Sequence, residues 1–403
     1  MSDLTSVATH PRSPWQALRK LLRFTAIYGP GRTLYKAAGR LRIGVPKLTT
    51  LRTLLSRPKR DIGLVGCGQF AFATIGYFLM RHQPGRLMAC YDVDAKSAAS
   101  LAASLGVARV AASGEELLAL PGLRTVYIAS NHASHTPYAV AALARGLDVY
   151  VEKPVAVTPA QLSALIASRR TAAAAGRGRL FAGYNRPFSA AVRELRRRIV
   201  IHPAQGFSLQ CFIAGHVIGP KHWYRHPDEG TRVCGNLGHW LDLFVHVLAW
   251  RSMPERLEIS LVWADDAERD DNCSVTMLSE RGDLCSIMLS SRAEPFEGIN
   301  ESIQLQHGEA LAKIDDFRRM TLWQCDRVLR RHYWPKDVGH RHAILQPFAA
   351  PDGPVPPRDW HEVEHSTLLM LHIADMVRSG TRDSRFSFAE ARAALPAPDP
   401  AHR

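Results

Sequence analysis

Strand-like and helix-like segments alternate from residue 61 to about residue 186, opening on a glycine-rich turn, and short alternating strands take over beyond residue 255. These observations predict an α/β chain of two domains: an N-terminal doubly wound parallel sheet of the Rossmann kind and a C-terminal α+β domain with an open, mostly antiparallel sheet. The chain has 403 residues, 46% of them hydrophobic, with no apolar run near 18 residues. That is enough for two cores of a soluble protein and too little continuous apolarity for a membrane span. The expected divisions are a basic extension at 1–60, the parallel-sheet domain at 61–186, the α+β domain at 187–390, and a Pro-rich, disordered tail at 391–403. Seven cysteines, an odd number with no C-x-x-C spacing, predict a reducing, cytoplasmic setting without a disulfide framework.

The formal charge of +14 is unevenly spread: residues 1–60 hold 13 Lys and Arg against Asp3 alone, which leaves +2 for the rest. A nucleic-acid partner needs a clustered basic surface on a folded body, so none is expected. In "PWQALRKLLRFTAIYGPGRTLYKAAGRLR", residues 14–42, Trp15, Leu18, Leu22 and Ala26 recur at helical spacing between Arg19, Lys20 and Arg23. The helix is read either as an arm packed on the body or on a sister subunit, or as a peripheral contact with an anionic membrane surface. It lacks the apolar core of a secretory signal, while its Arg-rich, acid-poor character also suits an organelle transit peptide.

In "DIGLVGCGQFAFATIGYFLMRH", residues 61–82, a short apolar strand runs into Gly66-Cys67-Gly68-Gln69-Phe70-Ala71 and then a helix. Gly66 permits the turn, Gly68 lets a pyrophosphate approach the backbone, and Ala71 keeps helix and strand close. The helix N-terminus offers free N–H groups to the phosphates. Glycine-rich turns after strands are common, and it is the context that gives this one weight. A second strand ends at Asp92, 24 residues after Gly68, where a carboxylate can accept the ribose hydroxyls and repel a 2′-phosphate. Val93 supplies no cation, so the expected cofactor is NAD rather than NADP. Asp94 is a second candidate, or an ordinary cap for the helix beginning near Ala95.

Further strands, "TVYIAS" at 125–130 and "LDVYVEKP" at 147–154, alternate with helical stretches, so the loops leaving their carboxyl ends face the ligand crevice. Ser130, Asn131, His132, His135, Glu152 and Lys153 lie on those loops. Lys153, held between a strand and Pro154, can bring its ammonium to a substrate hydroxyl or pair with Glu152 at the surface. In "GNLGHWLDLFVHVLAW", residues 235–250, His239, Asp242 and His246 fall on one helical face, as a catalytic cluster or as a buried polar seam.

Gly66-x-Gly68-x-x-Ala71, Asp92, "IASNHASH" at 128–135, "GLDVYVEKP" at 146–154 and "AGYNRPFS" at 182–189 resemble the Gfo/Idh/MocA family of NAD(P)-dependent oxidoreductases, from about residue 61 to about 380. "IGPKHWYRHPDEGTRVCGNLGHWLDL" resembles a branch that accompanies bacterial cell-surface polysaccharide synthesis. The resemblance implies hydride transfer between a nicotinamide and a secondary alcohol or ketone of a sugar, sugar nucleotide or cyclitol. It implies cofactor contacts from Gly66, Gly68, Gln69, Phe70, Ala71, Asp92, Ser130, Asn131, His135, Glu152 and Lys153. It further implies Lys153 near the reacting oxygen and His239 as acid/base, whose ordinary pKa near neutrality suits proton transfer.

Two registers fit the family's Asp-x-x-x-His pair followed by His-x-x-Asp. Pairing Asp242 with His246 puts the Gly-rich segment out of step, whereas matching His239 and Asp242 needs no gap from Glu229 onward. The second register leaves Gly235 where the family carries an acid, with Asn236 the nearest polar side chain. Tyr184, Arg186, Trp223 and Asn236 join His239 as substrate-binding candidates. Arg186 binds a substrate anion or ties the domains together, and Trp223 offers a face to a pyranose ring or packs its own loop.

No H-E-x-x-H or cysteine pair accompanies the histidines, and no metal is expected. Beyond 255 the strands leave one sheet face free for a subunit interface, which predicts a dimeric or tetrameric homo-oligomer. Residues 365–380 read as an amphipathic helix, and 326–360 fits no period, as an insertion over the site would. The expected function is an NAD-dependent oxidoreductase of carbohydrates in the cytoplasm, with the arm allowing a membrane-peripheral location. The alternative is a non-catalytic dinucleotide-binding sensor or scaffold.

Overall fold

Two sheets organise the chain in the computed structural model, which describes residues 14–44, 59–293 and 298–398. The first has six strands: β1 (Ile62–Val65), β2 (Leu87–Tyr91), β3 (Arg109–Val110), β4 (Thr125–Ile128), β5 (Asp148–Val151) and β6 (Leu180–Ala182). All pairings are parallel, in the order β3-β2-β1-β4-β5-β6. Every residue of β1 and β4 is buried, because helices cover both faces of a parallel sheet. The strand order reverses between β1 and β4, and a crevice opens at their carboxyl ends.

The second sheet has nine strands and is antiparallel except where Ser208–Ala214 runs alongside Leu284–Ser290. Its inner residues, such as Leu209, Cys211 and Ile213, pack on helices Gly238–Leu248 and Trp360–Ser379. Strict alternation then turns Phe212 (46% exposed), Met288 and Val262 outward.

The stretch at 326–360 forms the edge strand Arg327–His332 and then crosses back to the first sheet as the short helix His340–Ile344. The Asn185 amide donates to the Val338 carbonyl at 2.6 Å, and the buried Tyr127 hydroxyl to the Ile344 carbonyl at 2.7 Å. Gly339 has φ 93°, and a β-carbon there would collide with the Asn185 carbonyl. This crossing is short because only glycine fits it.

The basic arm is helical from Pro14 to Leu41, broken at Gly29 (φ 79°, ψ 162°) ahead of Pro30. Its second half packs on the body. Ile27 and Ala38 are buried, and the Trp334 indole and the Lys336 N–H donate to the carbonyls of Ala26 and Ile27, each at 2.8 Å. Trp15 and Leu22 in the first half are 72% and 60% exposed. The tail is ordered further than its composition implies. Residues 388–393 are helical with Phe388 buried, and Ser163 donates to the Pro396 carbonyl at 2.6 Å. Residues 399–403, like 1–13 and 45–58 of the extension, lie outside the described residues.

Candidate functional site

A cleft of about 630 Å³ lies over the carboxyl ends of β1, β2, β4 and β5. Gly66 makes the first turn at φ 88°, with its α-carbon against the Ala129 carbonyl, where a side chain would clash with backbone. Above Gly68 a β-carbon would meet nothing within 4 Å, so bare backbone faces the cleft. A dinucleotide's phosphates fit such a cradle. A Gly66→Ala variant is therefore expected to lose dinucleotide binding and several degrees of melting temperature. Calorimetry on the free protein and a nucleotide titration check both; unchanged values in the two would remove the cradle from the account.

The ribose end is equally defined. Asp92 lines the cleft, and its carboxylate accepts the Cys67 N–H at 2.6 Å and the Asp94 N–H at 2.8 Å. Asp94 caps helix Ala95–Leu105 by accepting from Lys96 and Ser97, which leaves Asp92 as the acid that borders the cleft. Phe70 lines the cleft as well, while Ala71 is buried beneath it. Gln69 also borders the cleft, and its amide donates to the Lys36 carbonyl of the arm at 3.0 Å.

The 130–135 and 152–154 loops are locked together. His135 is held between the Pro154 carbonyl at 2.8 Å and the Ser130 carbonyl at 3.2 Å. Burial pushes its imidazole down to about 4 and keeps it neutral, so it positions the loop carrying Lys153. The Ser130 hydroxyl meets that of Ser134, and Asn131 donates to Glu229 at 2.7 Å. Glu229 also accepts the Ala133 N–H, and its carbonyl meets the His132 ring at 3.0 Å.

Glu152 accepts the Tyr150 hydroxyl at 2.7 Å, and the close approach of Gly183 leaves no space beside its carboxyl. Burial raises it to about 7. Its folded value lies above its unfolded one, so its contribution to stability is complete below about pH 4.5 and fades as pH rises through 7, by roughly 3 kcal/mol at most. A Glu152→Gln variant should show a flatter fall in stability between pH 5 and 8. Denaturant titrations across that range are the check, and parallel curves would contradict the assignment.

Lys153 does not pair with the Glu152 side chain. Its ammonium donates to the Gly235 carbonyl at 2.7 Å, which brings the two domains together at the inner end of the cleft. Gly235 is backed by the rings of Tyr224 and His132; a β-carbon would lie 2.6 Å from the first and 3.0 Å from the second. An acid there would have to displace the Tyr224 ring. Trp223 and Tyr224 line the cleft and pack on His132, the first edgewise and the second tilted, with ring centroids 4.7 and 4.8 Å away.

Helix Gly238–Leu248 is preceded by a π-helical turn, Val233–Leu237, and a second π turn, Ala71–Gly76, follows the dinucleotide motif. Such turns recur at functional positions because they re-aim side chains. The three polar residues of the helix separate. Asp242 pairs with Arg358 at 2.6 Å and accepts the Ser366 hydroxyl, and His246 meets Glu362 at 2.8 Å. Both are satisfied within the core. His239 is not: its Nδ1 is buried without a partner among the described residues, as is Oδ1 of Asn236, one turn earlier. Burial first, then the charges of Arg186, Lys153 and His340, push the His239 imidazole well below its ordinary value. The sequence-based expectation of a near-neutral pKa is thereby corrected, and the ring stands unprotonated.

Tyr184 is fully buried edge-on to His239, and Arg186 is committed to Glu301 at 2.9 Å and to the side-chain Oδ1 of Asn185, also at 2.9 Å. His340 was not legible in the sequence. Its ring packs on Phe70 at 5.6 Å, and its Nδ1 is likewise buried without a partner among the described residues.

Residues 59–177 match the family model GFO_IDH_MocA, described as "Oxidoreductase family, NAD-binding Rossmann fold". The chain is 30% identical over 207 residues to the inositol 2-dehydrogenase of Ralstonia nicotianae, covering 50% of this chain and 57% of that one. Its match to the inositol 2-dehydrogenase of Pseudomonas fluorescens is 30% over 137 residues, covering 34% and 40%. The chain thus spans about half the length of the curated relatives it matches. Among solved structures, the UDP-N-acetylglucosamine 3-dehydrogenase GnnA of Acidithiobacillus ferrooxidans superposes with a TM-score of 0.63 at 18% identity, covering 79% of this chain and 98% of that one. GenD2 from gentamicin A biosynthesis, in complex with NAD, superposes at 0.65 and 18% identity, covering 82% and 98%. These likenesses establish the fold.

Proposed function

We propose that the chain, whose residues 59–177 match the Gfo/Idh/MocA oxidoreductase model with its NAD-binding Rossmann fold, is an NAD-dependent dehydrogenase or reductase. Its substrate is a secondary alcohol or ketone of a sugar, sugar nucleotide or cyclitol. The observation that carries this reading is the Lys153 ammonium fixed on the Gly235 carbonyl at the inner end of the cleft, with the unpartnered imidazole of His239 one helical turn on. NAD, when bound, supplies the hydride acceptor. The Lys153 ammonium donates a hydrogen bond to the reacting oxygen, and neutral His239 takes the hydroxyl proton as the carbinol is oxidised. Asn236 offers its unpartnered carbonyl oxygen to a neighbouring hydroxyl, and Trp223 and Tyr224 present faces to a pyranose or cyclitol ring.

The names of the curated relatives and of GnnA support this substrate class, and surface polysaccharide synthesis is the setting suggested by the 218–243 segment. The test is the absorbance of reduced cofactor with a panel of inositols and UDP-sugars. Turnover with one member supports the reading. Tight NAD binding with no turnover across the panel favours a dinucleotide-binding scaffold, the reading to which the acid-free Gly235 lends support.

The outward face bearing Phe212, Met288 and Val262 fits a second copy of the chain. Light scattering should return a dimer or tetramer, and a monomer at micromolar concentration would sink that assignment. The exposed Trp15 and Leu22, beside Arg19, suit a peripheral membrane contact from the cytoplasm. No helix among the described residues is long and apolar enough to cross a membrane.

A further inference from the structure

The basic arm ends on the dinucleotide motif, outside the residues matched by the family model. Its helix stops at Leu41, and Arg42 turns the chain with φ 53°, the left-handed region. The Ile43 N–H then reaches back to the Ala38 carbonyl at 3.1 Å, closing the helix as a glycine ordinarily would. An arginine in that conformation is strained, and strain retained at one residue directs attention to its side chain.

That side chain reaches the cofactor site. One guanidinium nitrogen of Arg42 donates to the Cys67 carbonyl at 3.2 Å, and the Cys67 N–H in turn binds the Asp92 carboxylate at 2.6 Å. Cys67 is the middle residue of the Gly66–Gly68 turn, so cation, turn and ribose carboxylate adjoin. The arm is fixed there from several sides. Ser100 and Ser104 donate to the carbonyls of Arg42 and Ile43 at 3.4 and 3.3 Å, and Gln69 donates to the Lys36 carbonyl at 3.0 Å. At Gly39 the helix comes so near that a β-carbon would lie 3.0 Å from the Phe72 ring and 3.1 Å from the Gln69 amide.

Asp92 repels a 2′-phosphate and Val93 offers no cation, which makes NAD the expected cofactor ahead of NADP. The fold brings a cation to the adjoining Cys67 carbonyl from fifty residues upstream of Asp92. Ser97 chiefly, and Arg42 among the smaller causes, hold the Asp94 carboxyl below its ordinary value, which puts the guanidinium within electrostatic reach of Asp94. Arginine has five N–H donors in a planar fork, and phosphate is the anion that fork matches.

We propose that Arg42 is a cofactor-selectivity residue, its guanidinium offsetting Asp92 so that the site accepts a 2′-phosphorylated dinucleotide, NADP, as well as NAD. The proposal rests on the reading of the cleft as a nicotinamide dinucleotide site. The experiment is a fluorescence titration of the full-length protein with NAD and with NADP, for the wild type and for Arg42→Gly. Glycine suits the left-handed turn, so the melting temperature of the free variant should hold or rise, which separates loss of the cation from loss of the fold.

Wild type should bind the two nucleotides within about tenfold of each other. Arg42→Gly should weaken NADP by about tenfold or more and leave NAD within about twofold. Arg42→Lys should recover part of the NADP affinity. Wild type that binds NAD but takes NADP more than about a hundredfold more weakly overturns the proposal, as does a variant that binds both as before or loses both equally. Binding of neither nucleotide by the wild type refutes the dinucleotide reading itself, and the proposal with it.

Discussion

Replacement of His239 by alanine is expected to lower turnover by roughly 10²–10⁴ while NAD affinity stays within about twofold of wild type. The size follows from removing a positioned proton acceptor. The selectivity follows from geometry, because His239 stands on helix Gly238–Leu248 behind Lys153 and does not border the phosphate cradle. The imidazole is neutral, and its Nδ1 has no other partner among the described residues, so nothing competes with substrate for the proton site. The free variant's melting temperature controls for the lost packing against Tyr184 and Trp240. Near-normal turnover in a folded variant would take the proton-transfer role away from His239.

The second large effect concerns stability. Arg186 and Glu301 form a buried pair, 6% and 2% exposed, and the Trp240 indole donates to the same carboxylate at 2.9 Å. Removing the guanidinium strands a charge in the core of the domain junction, and Arg186→Ala should lose about 3–5 kcal/mol in urea denaturation. The double variant Arg186→Met with Glu301→Leu should recover most of it, since an apolar pair leaves no uncompensated charge. This outcome would decide between the two roles open for Arg186. A variant of unchanged stability whose KM alone rises would mean that the guanidinium serves a substrate anion.

What the sequence made legible is the part governed by local periodicity and by turns. The Gly66–Ala71 motif, the buried strands flanking it and Asp92 all stand where their spacing placed them, and the alternating strands beyond 255 form the open sheet. The rest depended on partners far away in the chain. His239, Asp242 and His246 share one helical face as the spacing required, yet Arg358, just ahead of helix Trp360–Ser379, and Glu362, in its first turn, claim the latter two, and no local pattern announces that. His340 lies in a stretch without period, and its position follows from Gly339 slipping beneath the Asn185 carbonyl. Glu229 reads as a loop acid until it is found capping the backbone at Ala133. Arg42 was hidden for the same reason, as one of 13 basic residues in the extension, at the end of the stretch read as a helical arm. Charge counting cannot distinguish the residue that reaches a site from those that are solvated.

A crystal structure of the protein with NAD bound measures the central claim most directly. The account predicts the nicotinamide ring at the inner end of the cleft, with the Lys153 ammonium and the His239 imidazole facing one common space beside it, where a carbinol carbon can sit about 3–3.5 Å from the ring. A nicotinamide lodged elsewhere, or walled off so that the two side chains cannot reach one molecule, would contradict it.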